Sequence, residues 1–223
     1  MATLKKVIPA ISTLPTRVHA YPPGSAHRHM AEQFVHAAFK RHYQADIQSF
    51  MPMLLSLSDE QQRLHAVLGF RHANATPLFL EKYLDQPVEQ LLASRIHAPV
   101  DRSRLLEVGN LAVSASGGGR WLITALTAYL STTHSEWVLF TIGPVLRNVF
   151  SRLGLELIDL AEARKDRLPL EEQAAWGSYY DQKPHVMAGK IATGYSALLS
   201  LCEQEGELMN LWQQAIAVGR EAA

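Results

Sequence analysis

The sequence holds a single cysteine, Cys202, so no disulfide can form within the chain, and small disulfide-stapled folds are excluded. It has no excess of either charge: Lys+Arg and Asp+Glu both number 21, and the formal net charge is zero. A general nucleic-acid binder normally carries a basic excess, so that class is set aside. No stretch approaches the ~18 uninterrupted apolar residues of a membrane-spanning helix. The apolar run after Lys5 and Lys6 is short and broken by Pro9 and Pro15, unlike a signal segment. Among the histidines, His27, His29, His65 and His72 show neither a His-Glu-x-x-His pattern nor a cysteine partner, and no metal site is expected. What is present is a chain of 223 residues, 48% hydrophobic, long enough to bury a sizeable core. A soluble cytoplasmic protein is the expectation.

Residues 1–26 carry Pro9, Pro15, Pro22, Pro23 and Gly24 and read as an irregular entry segment. Residues 27–44 place Met30, Phe34, Val35, Ala38 and Phe39 at helical spacing. Apolar runs at 51–57 and 64–71, joined by a polar turn, predict an antiparallel hairpin. Residues 87–97 read as a helix, with Pro87 in its first turn and Glu89 near its positive end. The next stretch reads as strand (105–114), turn (116–119), helix (120–133), strand (136–142), helix (144–153) capped by Gly154, and strand (155–160). Residues 161–190 read as irregular, with a Trp176-Gly177-Ser178-Tyr179-Tyr180 cluster, and 191–222 have helical periodicity. The class is therefore α/β or α+β. A main domain at 27–190 with a C-terminal helical extension at 191–223 is expected.

The strand at 105–113 runs through Ser116-Gly117-Gly118-Gly119 into a helix. Free backbone N–H groups at such a helix start suit a phosphate or pyrophosphate, glycines allow close approach, and Arg120 can add a charged contact. The turn is not a Walker loop, because Gly-Lys-Ser/Thr is absent. It is not a dinucleotide fingerprint either, because the six-residue glycine spacing and the following acidic residue are missing.

The order strand, glycine turn, helix, strand, helix, strand resembles the GNAT acyltransferase fold. Two relatives match at the level of residues. The thermostable hemolysin family, whose name records a haemolytic phenotype, resembles this chain over residues 30–190. The match lies in Pro77–Leu84 with Pro87-Val88-Glu89, Glu107–Ala112, Phe140-Thr141, Leu146–Phe150 with Leu153-Gly154, and Trp176–Tyr180. The acyl-homoserine-lactone synthases and N-acyl amino acid synthases are similar at Phe39-Lys40-Arg41, at Gly69-Phe70-Arg71 before Thr76-Pro77, and at Glu107. The chain departs from that family in lacking an acidic pair after the first helix, and in having Asn110 where an arginine is usual.

The resemblance implies a mixed, mostly antiparallel sheet with a splayed strand pair, flanked by helices. It implies N-acyl transfer from acyl-CoA or acyl carrier protein to the amine of an amino-acid-like molecule, with no metal. Glu107 is then the general base, Arg71 a carboxylate anchor or a partner of Glu107, and Asn110 a substrate contact or a bulge-former. Leu111, Ala112 and Val113 would hold the pantetheine arm and polarise the thioester. Gly117, Gly118, Gly119 and Arg120 would take the pyrophosphate, with Asn148 lining the donor groove. A purely structural Glu107–Arg71 pair is the competing reading. So are a membrane-active toxin and a non-catalytic acyl-CoA-binding module, and a homodimer contact through the tail stays open.

Overall fold

The computed structural model describes residues 14–74, 77–114 and 118–222. Among these, seven strands form one sheet: β1 (Arg17–Tyr21), β2 (Met53–Ser58), β3 (Leu64–His72), β4 (Leu105–Val113), β5 (Trp137–Ile142), β6 (Ile158–Glu162) and β7 (His185–Lys190). Their spatial order is β1-β2-β3-β4-β5-β7-β6. Every neighbouring pair is antiparallel except β4–β5, which is parallel. The helices are α1 (Arg28–Tyr43), α2 (Val88–Ile96), α3 (Gly118–Leu130), α4 (Pro144–Arg152), α5 (Leu170–Ala175), α6 (Ile191–Cys202) and α7 (Gly206–Ala222).

Side chains alternate across a strand, so each strand feeds two cores. Leu68, Phe70, Leu106, Val108 and Phe140 face α3, α6 and α7. Val67 and Ala112 face α1, whose buried stripe is Ala31, Val35, Ala38 and Phe39. The 31-35-38-39 spacing is the one-face pattern of an amphipathic helix, and Met30 falls outside it, exposed. Helix α3 is apolar almost all round, because the sheet covers one side and α7 the other. A Cβ at Gly219 of α7 would meet Thr132 Oγ1 and Tyr129 O, so glycine permits that close crossing.

The pairing of β4 with β5 runs from Leu105↔Trp137 to Val108↔Phe140 and then stops. Beyond it β4 continues to Val113 on β3 alone, while Thr141 and Ile142 stay on β7. The two parallel strands therefore part into a V. Two residues past the last pair, Asn110 adopts φ 51. Between Val67↔Ala112 and Gly69↔Gly109, β4 spends one residue more than β3, which is a bulge. A bulge bends its strand and raises the local twist.

Three expectations are corrected. Residues 17–21, within the segment read as irregular, form the edge strand β1, in which Val18 alone is fully buried. Residues 185–190, also read as irregular, form β7 and insert between β5 and β6. The strand expected from residue 155 begins at Ile158, because Gly154 (φ 70) turns the chain and Leu155 and Leu157 pack on the core before pairing starts. The helical tail is two helices, α6 and α7, packed on α3.

Candidate functional site

Arg71 and Glu107 are directly opposed on β3 and β4. Glu107 is 3% exposed, where an unpaired carboxylate would be prohibitive. It is satisfied from two sides. Oε2 accepts from the Phe79 N–H at 2.9 Å and Oε1 from the Leu80 N–H at 2.9 Å. Arg71 Nε lies 3.3 Å from Oε2. The two amides belong to the start of a 3-10 helix, Phe79–Tyr83, whose first N–H groups have no partner within the helix. Burial pushes the Glu107 carboxyl above its ordinary range, and these three contacts only partly oppose it.

The 3-10 helix is pinned by a second carboxylate. Glu81 accepts from Leu78 N–H at 3.1 Å and Val88 N–H at 3.3 Å. Arg102 reaches Glu81 at 2.6 and 2.8 Å, Glu89 at 2.7 Å and the Ala73 carbonyl at 3.1 Å. Sequence reasoning passed over Arg102, which lies beyond α2 and carries no motif. Arg102→Ala would leave two carboxylates facing one another beneath the segment that holds Glu107. A loss of about 1–3 kcal/mol is expected, measured as a shift of the urea midpoint with an unchanged slope.

Asn110 is the bulge-former. Its left-handed backbone suits asparagine, and its Oδ1 accepts from Met51 N–H at 2.7 Å. Met51 O and Pro52 O accept from Arg28, each at 2.7 Å. Met51 Sδ receives Arg71 Nε at 3.0 Å. The segment between α1 and β2 is thus clamped against the sheet beside Glu107. The terminal nitrogens of Arg71 take no partner among the described residues, and its side chain is 23% exposed.

On the donor side, Gly117 lies outside the described residues. Gly118 and Gly119 open α3, and a Cβ at Gly119 would meet nothing within 4 Å. Arg120 pairs with Glu205 in the turn between α6 and α7. Leu111 and Val113 pack towards α3, and Ala112 packs towards α1. Asn148 stands exposed on α4, beside Arg147, which lies 3.4 Å from Asp159. Behind β5, Ile123, Leu126, Val138, Phe140, Phe150 and Leu155 line an apolar cavity of ≈ 40 Å³. Phe140 and Phe150 stack there with centroids 5.0 Å apart.

The aromatic cluster packs against the 3-10 helix and α1. Trp176 meets Phe79 (5.6 Å) and Tyr179 (5.1 Å), and the Tyr179 hydroxyl donates to the Thr141 carbonyl at 3.0 Å. Tyr83 and Tyr180 join through their hydroxyls at 2.5 Å. Burial pushes the Cys202 thiol up to about 11, so it is no nucleophile at neutral pH. Among the described residues no three His, Cys, Asp or Glu side chains gather as a metal site, and no helix is long and apolar enough to cross a membrane.

A parallel pair that parts after four paired residues, inside an otherwise antiparallel sheet flanked by helices, is the arrangement of a GNAT-like fold. The chain belongs to the thermostable hemolysin family, whose model matches residues 21–195. No curated protein matches it. Among solved structures it is similar to a CoA-dependent acyl-homoserine lactone synthase, BjaI, with MTA (14% identity, TM-score 0.57, 85% of this chain and 89% of that one). It is likewise similar to FeeM, an N-acyl amino acid synthase from uncultured soil microbes (14%, 0.55, 81% and 94%). TofI in an apo form is a third neighbour (14%, 0.55, 82% and 95%). At such identities the likeness is one of fold.

Proposed function

We propose that the protein is an N-acyltransferase that moves a fatty acyl group from acyl-CoA or an acyl carrier protein to the amine of an amino-acid-like molecule in the cytoplasm. The observation that carries this reading is the V between β4 and β5, opening beside the buried Glu107–Arg71 pair. The neighbours named as acyl-homoserine lactone and N-acyl amino acid synthases support it.

In this reading the thioester lies in the V, along the unpaired edge of β4 at Leu111–Val113. Backbone N–H groups there polarise its carbonyl. Gly118 and Gly119 at the start of α3 receive the phosphates of the donor. Arg120 is engaged with Glu205, so the helix start rather than that side chain is assigned the anion. The amine nitrogen attacks the thioester carbon, the C–S bond breaks, and the thiolate leaves. Glu107 takes the proton released by nitrogen, through water because little of its surface is exposed. Its raised pKa makes it a better base than an ordinary carboxylate. Arg71 offers its unpartnered terminal nitrogens to a carboxylate of the acceptor. Asn110 shapes the bulge that opens the V.

The test is to incubate the protein with acyl-CoA or acyl carrier protein and defined amine pools. Amine-dependent thiol release and an N-acyl product by mass spectrometry are expected. No thiol released from any donor, or donor binding without turnover, overturns the reading. Lysis of red cells by pure protein without substrate would favour a toxin instead.

A further inference from the structure

The face of the sheet that carries Arg71 and Glu107 has a gap in its side-chain cover. Gly69 and Gly109 oppose one another on β3 and β4, so neither strand puts a side chain there. The gap is filled from outside the sheet. A Cβ on Gly69 would lie 2.5 Å from Met51 Cβ, and one on Gly109 would lie 2.6 Å from Met51 Cε. Met51 is therefore laid along both glycines, and it is 7% exposed. Its sulfur and the Glu107 carboxylate share the Nε of Arg71, at 3.0 and 3.3 Å. Its backbone is fixed at both ends, by Asn110 Oδ1 on the N–H and by Arg28 on the carbonyl. Main-chain position is set, while the side chain keeps three rotatable bonds and a soft, polarizable sulfur.

We infer that Met51 is the specificity-determining residue for the acceptor: it forms the adjustable wall that limits the side chain an amine substrate can place over Gly69 and Gly109. This rests on the N-acyltransferase reading, in which the acceptor amine is near Glu107 and its carboxylate near Arg71. An acceptor so held has its side chain directed at the remaining floor of the face, which is the glycine pair. The glycines make the space, Met51 occupies it, and the conformation of its side chain decides how much is yielded to an acceptor. A cavity-forming change at Met51 lengthens the acceptor that fits; it removes the sulfur beside Arg71 Nε but leaves the Arg71–Glu107 pair itself in place.

The experiment uses the full chain with its methionine methyl groups labelled with carbon-13, and Met51→Leu to assign the Met51 signal. Glycine, leucine, phenylalanine and tryptophan are titrated in turn. Acceptors are expected to move the Met51 methyl signal, increasingly with side-chain size. In parallel, Met51→Ala is expected to raise kcat/KM for phenylalanine or tryptophan relative to glycine by at least tenfold, with Met51→Leu close to wild type in that ratio. If the Met51 methyl stays in place with every amine, the inference is overturned whether or not the protein turns over. If Met51→Ala scales all amines equally, it is overturned as well. Amines that move the signal while no thiol is ever released would sink the acyl-transfer reading and leave Met51 as an amine-site wall.

Discussion

Glu107→Gln is expected to lower amine-dependent thiol release by about 10²–10⁴-fold while donor binding is kept. The change is nearly isosteric, and the fold tolerates it at a known cost. Glutamine presents one oxygen, so one of the Phe79 and Leu80 amides loses its acceptor and meets an NH₂ group. A buried donor left unpaired costs about 1–3 kcal/mol, readable in denaturant melts. The pH dependence separates chemistry from support. Burial holds the Glu107 carboxyl above the ordinary value of 4.5, so the acidic limb of kcat/KM should lie above that value and vanish in the variant. Stability carries the opposite sign. Between 4.5 and the raised folded value the native state binds the proton more than the unfolded chain does, so stability falls as pH rises through that window. Glu107→Gln should flatten that fall. If stability drops but thiol release per folded molecule and its acidic limb persist, Glu107 is a cap for the 3-10 helix and the base lies elsewhere.

The parts of this fold that were legible in the sequence are those whose pattern is local. The hairpin of β2 and β3, the strand-turn-helix of β4 and α3, and α1 each declare a period within a dozen residues. The Arg71–Glu107 pairing was within reach for the same reason, since both ends of the hairpin and the central strand could be placed. Strand β7 was not legible. His185–Lys190 follows Pro184 and a polar stretch, and its reason for being a strand is the slot between β5 and β6, which lies far away in sequence. Met51 was read only as the start of an apolar run. Nothing local says that its N–H will find Asn110, 59 residues on, or that two glycines will face it. The bonds from Phe79 and Leu80 to Glu107 span 28 and 27 residues and depend on a 3-10 helix with no period to detect. The Asn110 bulge had one signal, since asparagine is the non-glycine residue most at ease in the left-handed region. That same residue marks the departure from the synthase pattern, and the structure gives it work on the backbone.

Gly177→Ala is expected to lose about 4 kcal/mol or more of a typical 5–15 kcal/mol, a large drop in the urea midpoint. Gly177 sits at φ 51, a conformation that costs an alanine about 1–2 kcal/mol. Sterics add the larger part. An added Cβ would collide with the Tyr43 carbonyl oxygen and lie 2.9 Å from Gln44 C and 3.0 Å from Ala45 N. All three are backbone atoms and cannot rotate aside. The junction is also bonded from both sides: the Tyr43 carbonyl accepts from Ser178 N–H at 2.8 Å and Ser178 Oγ at 3.1 Å, and Asp46 N–H donates to Ala175 O at 2.7 Å. Moving it would shift Trp176 and Tyr179, which pack against Phe39 and Phe79. Gly154→Ala is the control. Gly154 is at φ 70 with nothing within 4 Å of an added Cβ, so it should lose only the conformational part, about 1–2 kcal/mol. Urea unfolding of both variants measures the difference. Equal losses would mean that the contact with the end of α1 yields, and that the Trp-Gly-Ser turn owes its glycine to backbone conformation alone.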